Sequence, residues 1–481
     1  MTIAEVFEGY DAVGLGRLIA EREITPAELV DEALRRVELL NPRLNALNFV
    51  DAERARAAAA GVTPTSPLSG VPFVLKDLAV EWEGFPVTNG SRYFKDYVAS
   101  GSWTLAERLR DGGLIPLGKS NVPEGGWAGT TEPAFHGPTV NPWDPSRIPG
   151  GSSGGSSVAV ASRMVPIADA SDGGGSIRIP ASINGVVGLK PSRGRVTFGP
   201  TLTDFWYGSA CFLCVSRSVR DTAAYLDIVA GAEPGEPYAL PSPDVPYGEV
   251  YAQEPGRLRI GVITSGPDGA PPDEDVAAAV GQAAGLCRDL GHDVDGVDVR
   301  FSIELLGHVF CRIGAVSAAA THAFAAGAVG HEVTPEDVEP VTWEMIRLGR
   351  SITGPEHYVD VELMRGLARD YVRQQREFDV VLAPVLPESA PETGFLDMQN
   401  QDLETYNDRM TRGAVFTAPV NLSGQPAITL PIGTTADGRP VGVQFIGRMG
   451  AEDTLLRLAA TLERAAPWAD RRPPVTREMG L

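Results

Sequence analysis

The chain has 481 residues, 43% of them hydrophobic and 21% charged, which supplies a large buried core and excludes a disordered chain. With 41 Lys and Arg against 62 Asp and Glu the formal charge is −21, a field that repels phosphate backbones and anionic lipid, so neither nucleic acid nor a membrane surface is an expected partner. Four cysteines in this length form no small secreted disulfide framework and fit a reducing, cytoplasmic setting.

Residues 1–25 carry Glu5, Glu8 and Asp11 and no basic region followed by an apolar run, so no secretory signal is expected. Thr25, Pro26 and Glu28 then announce a helix through a capping box with proline at the first helical position. Leu29, Val30, Ala33, Leu34, Val37 and Leu40 make one buried face, and Asn41-Pro42 is the expected stop. From about residue 70 short apolar runs alternate with Gly and Pro clusters and helical patterns, the alternation of an α/β sheet fold. Strands are expected at Val71 to Leu75, Leu114 to Leu117, Leu258 to Ile263, Val380 to Ala383 and Val441 to Ile446. The Pro-rich stretch Ala239 to Pro246 reads as a linker, and residues 247–375 read as a mainly helical subdomain, although strand-like runs resume after residue 378. The uncharged runs Ile313 to His331 and Gly413 to Ala436 are too diluted by small, polar and proline residues to span a membrane.

Three motifs point to chemistry that their context refuses. Gly113 to Ser120 matches a phosphate-loop pattern, but its spacer is apolar and strand-like and Pro123 interrupts the helix that should follow. Cys211 and Cys214 form a single pair, short of the four ligands of a structural zinc site, and read as core residues. Gly151-Ser152-Ser153-Gly154-Gly155 fits a nucleophile elbow, yet Asn141 to Gly150 before it is no strand. Asn421-Leu422-Ser423 matches a glycosylation acceptor by chance.

The informative feature is a pair of Gly/Ser clusters, Pro149 to Ser157 and Asp172 to Pro180, joined by the mostly apolar Val158 to Ala170. Two such clusters can set a hydroxyl among unhindered backbone N–H groups, the arrangement that acyl transfer needs for its oxyanion. Together with Val71-Pro72-Phe73-Val74-Leu75-Lys76-Asp77, Gly118 to Asn121, Asn141 to Asp144, Val187 to Pro191, Pro419 to Pro431 and Pro440 to Gln444, they make the chain resemble the amidase signature family over nearly its whole length. The resemblance implies one domain over residues 1–481, with a catalytic signature core at 68–200. Its fold would be α/β, a large mixed twisted sheet surrounded by helices, and it would work without a cofactor or a metal.

Carried over residue by residue, the resemblance makes Ser176 the nucleophile, Ser152 the bridging hydroxyl on a cis bond from Gly151, and Lys76 the base; the spacing of the serine pair selects Ser152 over Ser153. It assigns the oxyanion hole to the amides of Gly173, Gly174, Gly175 and Ser176, and an acyl pocket to Gly125, Gly126 and Trp127. Lys76 ends five apolar residues, and burial would disfavour its charged form. On a strand Asp77 points to the opposite face, so the two side chains can live in different environments. Asp172 and Arg178 read as an ion pair holding the turn.

The chain departs from the family pattern at Ser171, usually Thr, and at Gly173, usually a larger residue, which bears on the rigidity of the oxyanion hole. Phe205, Trp206 and Tyr207 suit either a pocket for neutral, apolar substrates or aromatic core packing. Thr130 to Pro133 and Thr342 to Met345 look most like hydrolases of nylon-type cyclic amide oligomers and urethane- or aryl-amide-cleaving enzymes. The expected partner is a small-molecule amide or carbamate, and the expected assembly a monomer or homodimer. The alternatives are a glutaminase subunit of a tRNA-dependent amidotransferase and a catalytically silent binding protein.

Overall fold

The computed structural model describes residues 1–479. The helix announced by Thr25 runs over Pro26–Leu44, with the Glu28 amide donating to Thr25 Oγ1 at 3.2 Å and the Thr25 amide to Glu28 Oε2 at 2.8 Å. It does not stop at Asn41-Pro42. Pro42 sits in its last turn, where the carbonyl it cannot reach belongs to Glu38 on the exposed face and can be hydrated. Leu44 is buried, and Asn45 closes the helix in the left-handed region at φ 46°.

Eleven strands of the described residues form one mixed sheet: β1 Leu47–Val50, β2 Pro72–Lys76, β3 Ile115–Ser120, β4 Ile167–Asp172, β5 Val187–Lys190, β6 Cys211–Ser216, β7 Arg259–Val262, β8 Asp293–Gly296, β9 Val380–Pro384, β10 Ala427–Thr434 and β11 Pro440–Gly447. Their order across the sheet is β1-β3-β2-β4-β6-β5-β10-β11-β9-β7-β8. The triplet β3-β2-β4 is parallel, as is β9-β7-β8, and the other pairs are antiparallel. Helices wrap this sheet, so the architecture is the α/β arrangement expected. All five strands expected from apolar runs are present. They are legible because strands buried on both faces, whether parallel or, as β11 is, antiparallel to both neighbours, read as continuous hydrophobic runs.

Residues 247–375 contribute β7 and β8 to this sheet, the Glu274–Asp289 helix, and three further helices, Ile303–Val329, Pro340–Ser351 and Gly354–Gln375. The Ile303–Val329 helix is long and apolar enough to cross a membrane by length and composition; here it packs against the other two and against the Leu403–Gly413 helix.

The misleading motifs resolve as structure. The phosphate-loop match contains β3, every residue of which is buried, and a side chain at Gly118 would meet the Phe49 carbonyl of β1 at 1.9 Å. Cys211 and Cys214 are buried free thiols on β6, and Asn421 is fully buried.

Candidate active site

Parallel pairing of β2 with β4 brings their carboxyl ends side by side, the edge of an open α/β sheet where ligands bind. The register sets Phe73 beside Ile167 and Val74 beside Ala168, so Lys76 emerges next to the chain that turns from β4 into the second glycine cluster. Its Nζ donates to Ser152 Oγ at 2.7 Å and to Ser171 Oγ at 2.9 Å, and lies 3.4 Å from the Ser171 carbonyl. Lys76 is 0% exposed. Burial pulls its pKa down to about 7, against the opposing pull of Asp169 and Asp172. Asp169, behind it, accepts from the Lys76 amide at 3.1 Å, and burial pushes its carboxyl up to about 6.

Asp77 faces the other way. It accepts from the Thr88 amide at 3.0 Å, the Thr88 hydroxyl and Asn48 Nδ2 at 2.7 Å, so strand alternation separates it from Lys76 as expected. The two serines of the first cluster are separated too. The Gly151–Ser152 peptide bond is cis, and Ser152 turns to Lys76. Ser153 instead donates to the Ser171 carbonyl at 3.2 Å and accepts from the Ser171 amide at 3.3 Å, which ties the cluster to β4.

The second cluster is shaped by Asp172, whose carboxylate curls under the loop. It accepts from the Gly175 amide at 2.7 Å and the Ile177 amide at 3.1 Å, and pairs with Arg178 through Nε at 2.9 Å and Nη2 at 3.0 Å. Burial would raise the Asp172 carboxyl, but Arg178 outweighs it and holds the group well below the usual carboxylate range. This corrects one expectation. The Gly175 N–H is committed to Asp172, so Gly173, Gly174 and Ser176 are the amides this carboxylate does not draw in.

Residues remote in sequence complete the clamp: Asn421 and Gln444 come from segments that carry the family resemblance, whereas no sequence signal marks Thr417. Arg178 also donates to Gln444 Oε1 at 2.9 Å and Asn421 Oδ1 at 2.5 Å, and Thr417 Oγ1 donates to the Gly174 carbonyl at 2.7 Å. Ser171 as a partner of Lys76 was legible only as a departure from the family pattern.

Ser152, Ser171 and Ser176 open onto one cavity of about 700 Å³, and Gly125, Gly126 and Trp127 line it as well. A Cβ at Gly126 would stand 3.4 Å from Ser152 Oγ, which places that segment directly against Ser152. The Trp127 ring stacks on Trp206 at 5.6 Å between centroids and 17° between planes. Trp206 in turn stacks on Phe205 at 5.6 Å and meets Phe310 edge-on at 6.2 Å. The wall around the serines is therefore mostly aromatic and apolar, the lining of a small-molecule site. No cluster of three or more metal-ligating side chains occurs among the described residues.

Known proteins show the same arrangement on the scale of the whole chain. The Amidase family model matches residues 28–456. A 6-aminohexanoate-cyclic-dimer hydrolase of Pseudomonas sp. (strain NK87) is 39% identical over 476 residues, covering 96% of each chain. The solved structure of a 6-aminohexanoate cyclic dimer hydrolase aligns with a TM-score of 0.90 at 38% identity over 97% of this chain and 99% of that one. A bacterial aryl acylamidase structure aligns at 0.87 and 27% identity, over 98% and 99% of the two chains. Motifs, sheet and similarity over the full length agree, and the chain belongs to the amidase signature family of amidohydrolases, which act on carbon–nitrogen bonds other than peptide bonds.

Proposed function

We propose that this chain hydrolyses neutral, non-peptide amides or carbamates through an acyl-enzyme on Ser176, with Ser152 and Lys76 as its proton relay. The observation that carries the reading is the 2.7 Å contact between Ser152 Oγ and a fully buried Lys76 whose pKa is brought to about 7. A lysine at its ordinary pKa is protonated at neutral pH and useless as a base; one near 7 is neutral in a substantial fraction of molecules. Neutral Lys76 accepts the Ser152 proton while Ser152 accepts that of Ser176, and Ser176 Oγ bonds to the substrate carbonyl carbon. The negative charge that forms on the carbonyl oxygen is met by loop amides among Gly173, Gly174 and Ser176. Collapse breaks the C–N bond, the relay protonates the departing amine, and water repeats the attack to free the acid and restore Ser176.

The substrate class follows from the lining. An apolar, aromatic cavity in a protein of charge −21 disfavours anionic substrates and suits flat or alkyl groups flanking a neutral amide. The relatives are named for a cyclic amide dimer and for aryl acylamides, both neutral non-peptide amides.

The test is amine release from an aliphatic amide, an anilide, a cyclic amide dimer, an aryl carbamate and glutamine, by the parent and by Ser176→Ala. Release that falls at least a thousandfold in the variant is expected, with the anilide, cyclic dimer or carbamate cleaved best. Equal release by both proteins would overturn the nucleophile assignment, and glutamine as the preferred substrate would replace the substrate class with a glutaminase.

A further inference from the structure

The glycine loop carries no side chain at 173 or 174, yet it is not left bare. A Cβ built on Gly173 would stand 3.2 Å from Cζ3 and 3.3 Å from Cε3 of Trp206, and one built on Gly174 would stand 3.4 Å from Phe310. Two aromatic rings that touch each other edge-on thus face two successive glycines of the loop. Gly173 lies outside the left-handed region, so its conformation does not require glycine. What crowds a side chain there is the Trp206 ring.

The Trp206 ring is placed at a cost. Trp206 and Tyr207 follow one another at φ 54° and 55°, a conformation that bulky L-residues avoid and that persists only where the surroundings impose it. Those surroundings are visible. The Gly208 amide donates to the Asp204 carboxylate, the Ser209 amide to the Trp206 carbonyl at 3.1 Å, and the Tyr207 hydroxyl pairs with the His357 ring on the Gly354–Gln375 helix. Trp127 and Phe205 stack on the indole and brace it against retreat from Gly173.

We infer that Trp206 is a positioning residue of the oxyanion loop: its ring occupies the space of the side chain that Gly173 lacks and holds the loop amides in place for the developing charge. The catalytic part of this inference rests on the proposed acyl-enzyme at Ser176; the mechanical part does not. The pairing is reciprocal. The ring rigidifies a loop whose glycine would otherwise broaden its conformations, and the missing Cβ is what lets the ring approach.

The test is a size-swap cycle on the full chain: parent, Gly173→Ala, Trp206→Leu and the double variant, with Trp206→Ala as a second removal of the ring should the leucine protein fail to fold. Two readouts are taken, kcat and KM on the best-cleaved member of the amide panel and amide hydrogen exchange of residues 173–176. With the ring present, Gly173→Ala lowers kcat about tenfold, because the new methyl meets an indole braced by two stacked rings. Removing the ring lowers kcat about tenfold with a smaller change in KM, and speeds exchange of the loop. In the ring-less protein Gly173→Ala changes sign: it raises kcat severalfold and slows loop exchange, because the methyl now restricts a loop that has room for it. A Gly173→Ala effect of the same sign in both backgrounds overturns the inference, as does loss of the ring that raises KM and leaves kcat and loop exchange alone. If Ser176→Ala still releases amine, the nucleophile assignment fails separately, and the exchange cycle decides the mechanical pairing without it.

Discussion

At the scale of single residues, Lys76 shows how burial brings a common side chain into the range where it can serve as the proposed base. Its place at the end of an apolar run made burial legible in the sequence, whereas its second partner, Ser171, comes from a neighbouring strand and no spacing rule reaches across the sheet. Burial lowers the folded-state pKa to about 7 from an ordinary 10.5. Between those values the unfolded chain binds the extra proton, so Lys76 makes stability rise with pH from about 7 upward. Activity has the same direction: kcat/KM should climb through about pH 7 as Lys76 loses its proton. Lys76→Met should remove that limb and cost on the order of a thousandfold in kcat, measured as a pH–rate profile of both proteins. A profile in the variant that still climbs near pH 7 would assign the ionisation to another group.

At the scale of elements, the loop between β4 and the Arg178–Asn184 helix owes its shape to a buried ion pair and its distant acceptors. The pair itself was legible because Asp172 and Arg178 flank the loop within seven residues; Gln444 on β11, Asn421 and Thr417 were not, because their closeness is created by the order of strands. Arg178→Met should leave Asp172 buried without its cation and cost about 3–5 kcal/mol, read as a lower urea midpoint, with a loss of activity. A second element contact braces the cavity wall. Glu124, at the head of the Gly125-Gly126-Trp127 segment, accepts from the Glu339 amide at 2.7 Å and from Ser91 Oγ at 2.7 Å, while Glu339 accepts from the Ala134 amide at 2.9 Å. Burial, followed by the charge of Glu124, pushes Glu339 up to about 8. A carboxyl raised in the folded state gives stability that is fully present below its unfolded value of 4.5 and is lost as pH rises through about 8. Glu339→Gln should therefore flatten the decline in urea midpoint between pH 5 and pH 9, and an unchanged slope would assign that ionisation to another group.

At the scale of the whole molecule, the two ends of the chain meet at Glu8. It pairs with the buried Arg36 of the Pro26–Leu44 helix, with Arg163 at 3.4 Å after the first glycine cluster, and with Arg472 at 3.0 Å near the C-terminus. Burial would raise the Glu8 carboxyl, but Arg163, Arg36 and Arg472 together outweigh it and lower the pKa. A depressed carboxylate gives stability that is present above its unfolded pKa and lost as pH falls through the folded one. Glu8→Gln should cost roughly 2–3 kcal/mol at pH 7 and shrink the loss on acidification, checked by denaturant midpoints at pH 7 and pH 4. Equal acid sensitivity in both proteins would move that linkage elsewhere.

Local pattern determined a good deal of this protein. Strands buried on both faces, the Thr25 cap and the two Gly/Ser clusters each write their constraint into adjacent residues, so the fold class could be read from them, and the family resemblance they carry pointed to Lys76, Ser152 and Ser176 as the candidates. The end of the Pro26–Leu44 helix could not, because Leu44 burial and the left-handed Asn45 outweigh a proline that gives up only a solvent-facing bond. Only the tertiary structure decided that the Gly175 amide goes to Asp172, that Trp206 fills the space beside Gly173, and that Thr417, Asn421 and Gln444 clamp the loop. Except for the Gly175–Asp172 bond, those contacts join positions tens to hundreds of residues apart, and the sequence does not show which residues meet until the strand order brings them together.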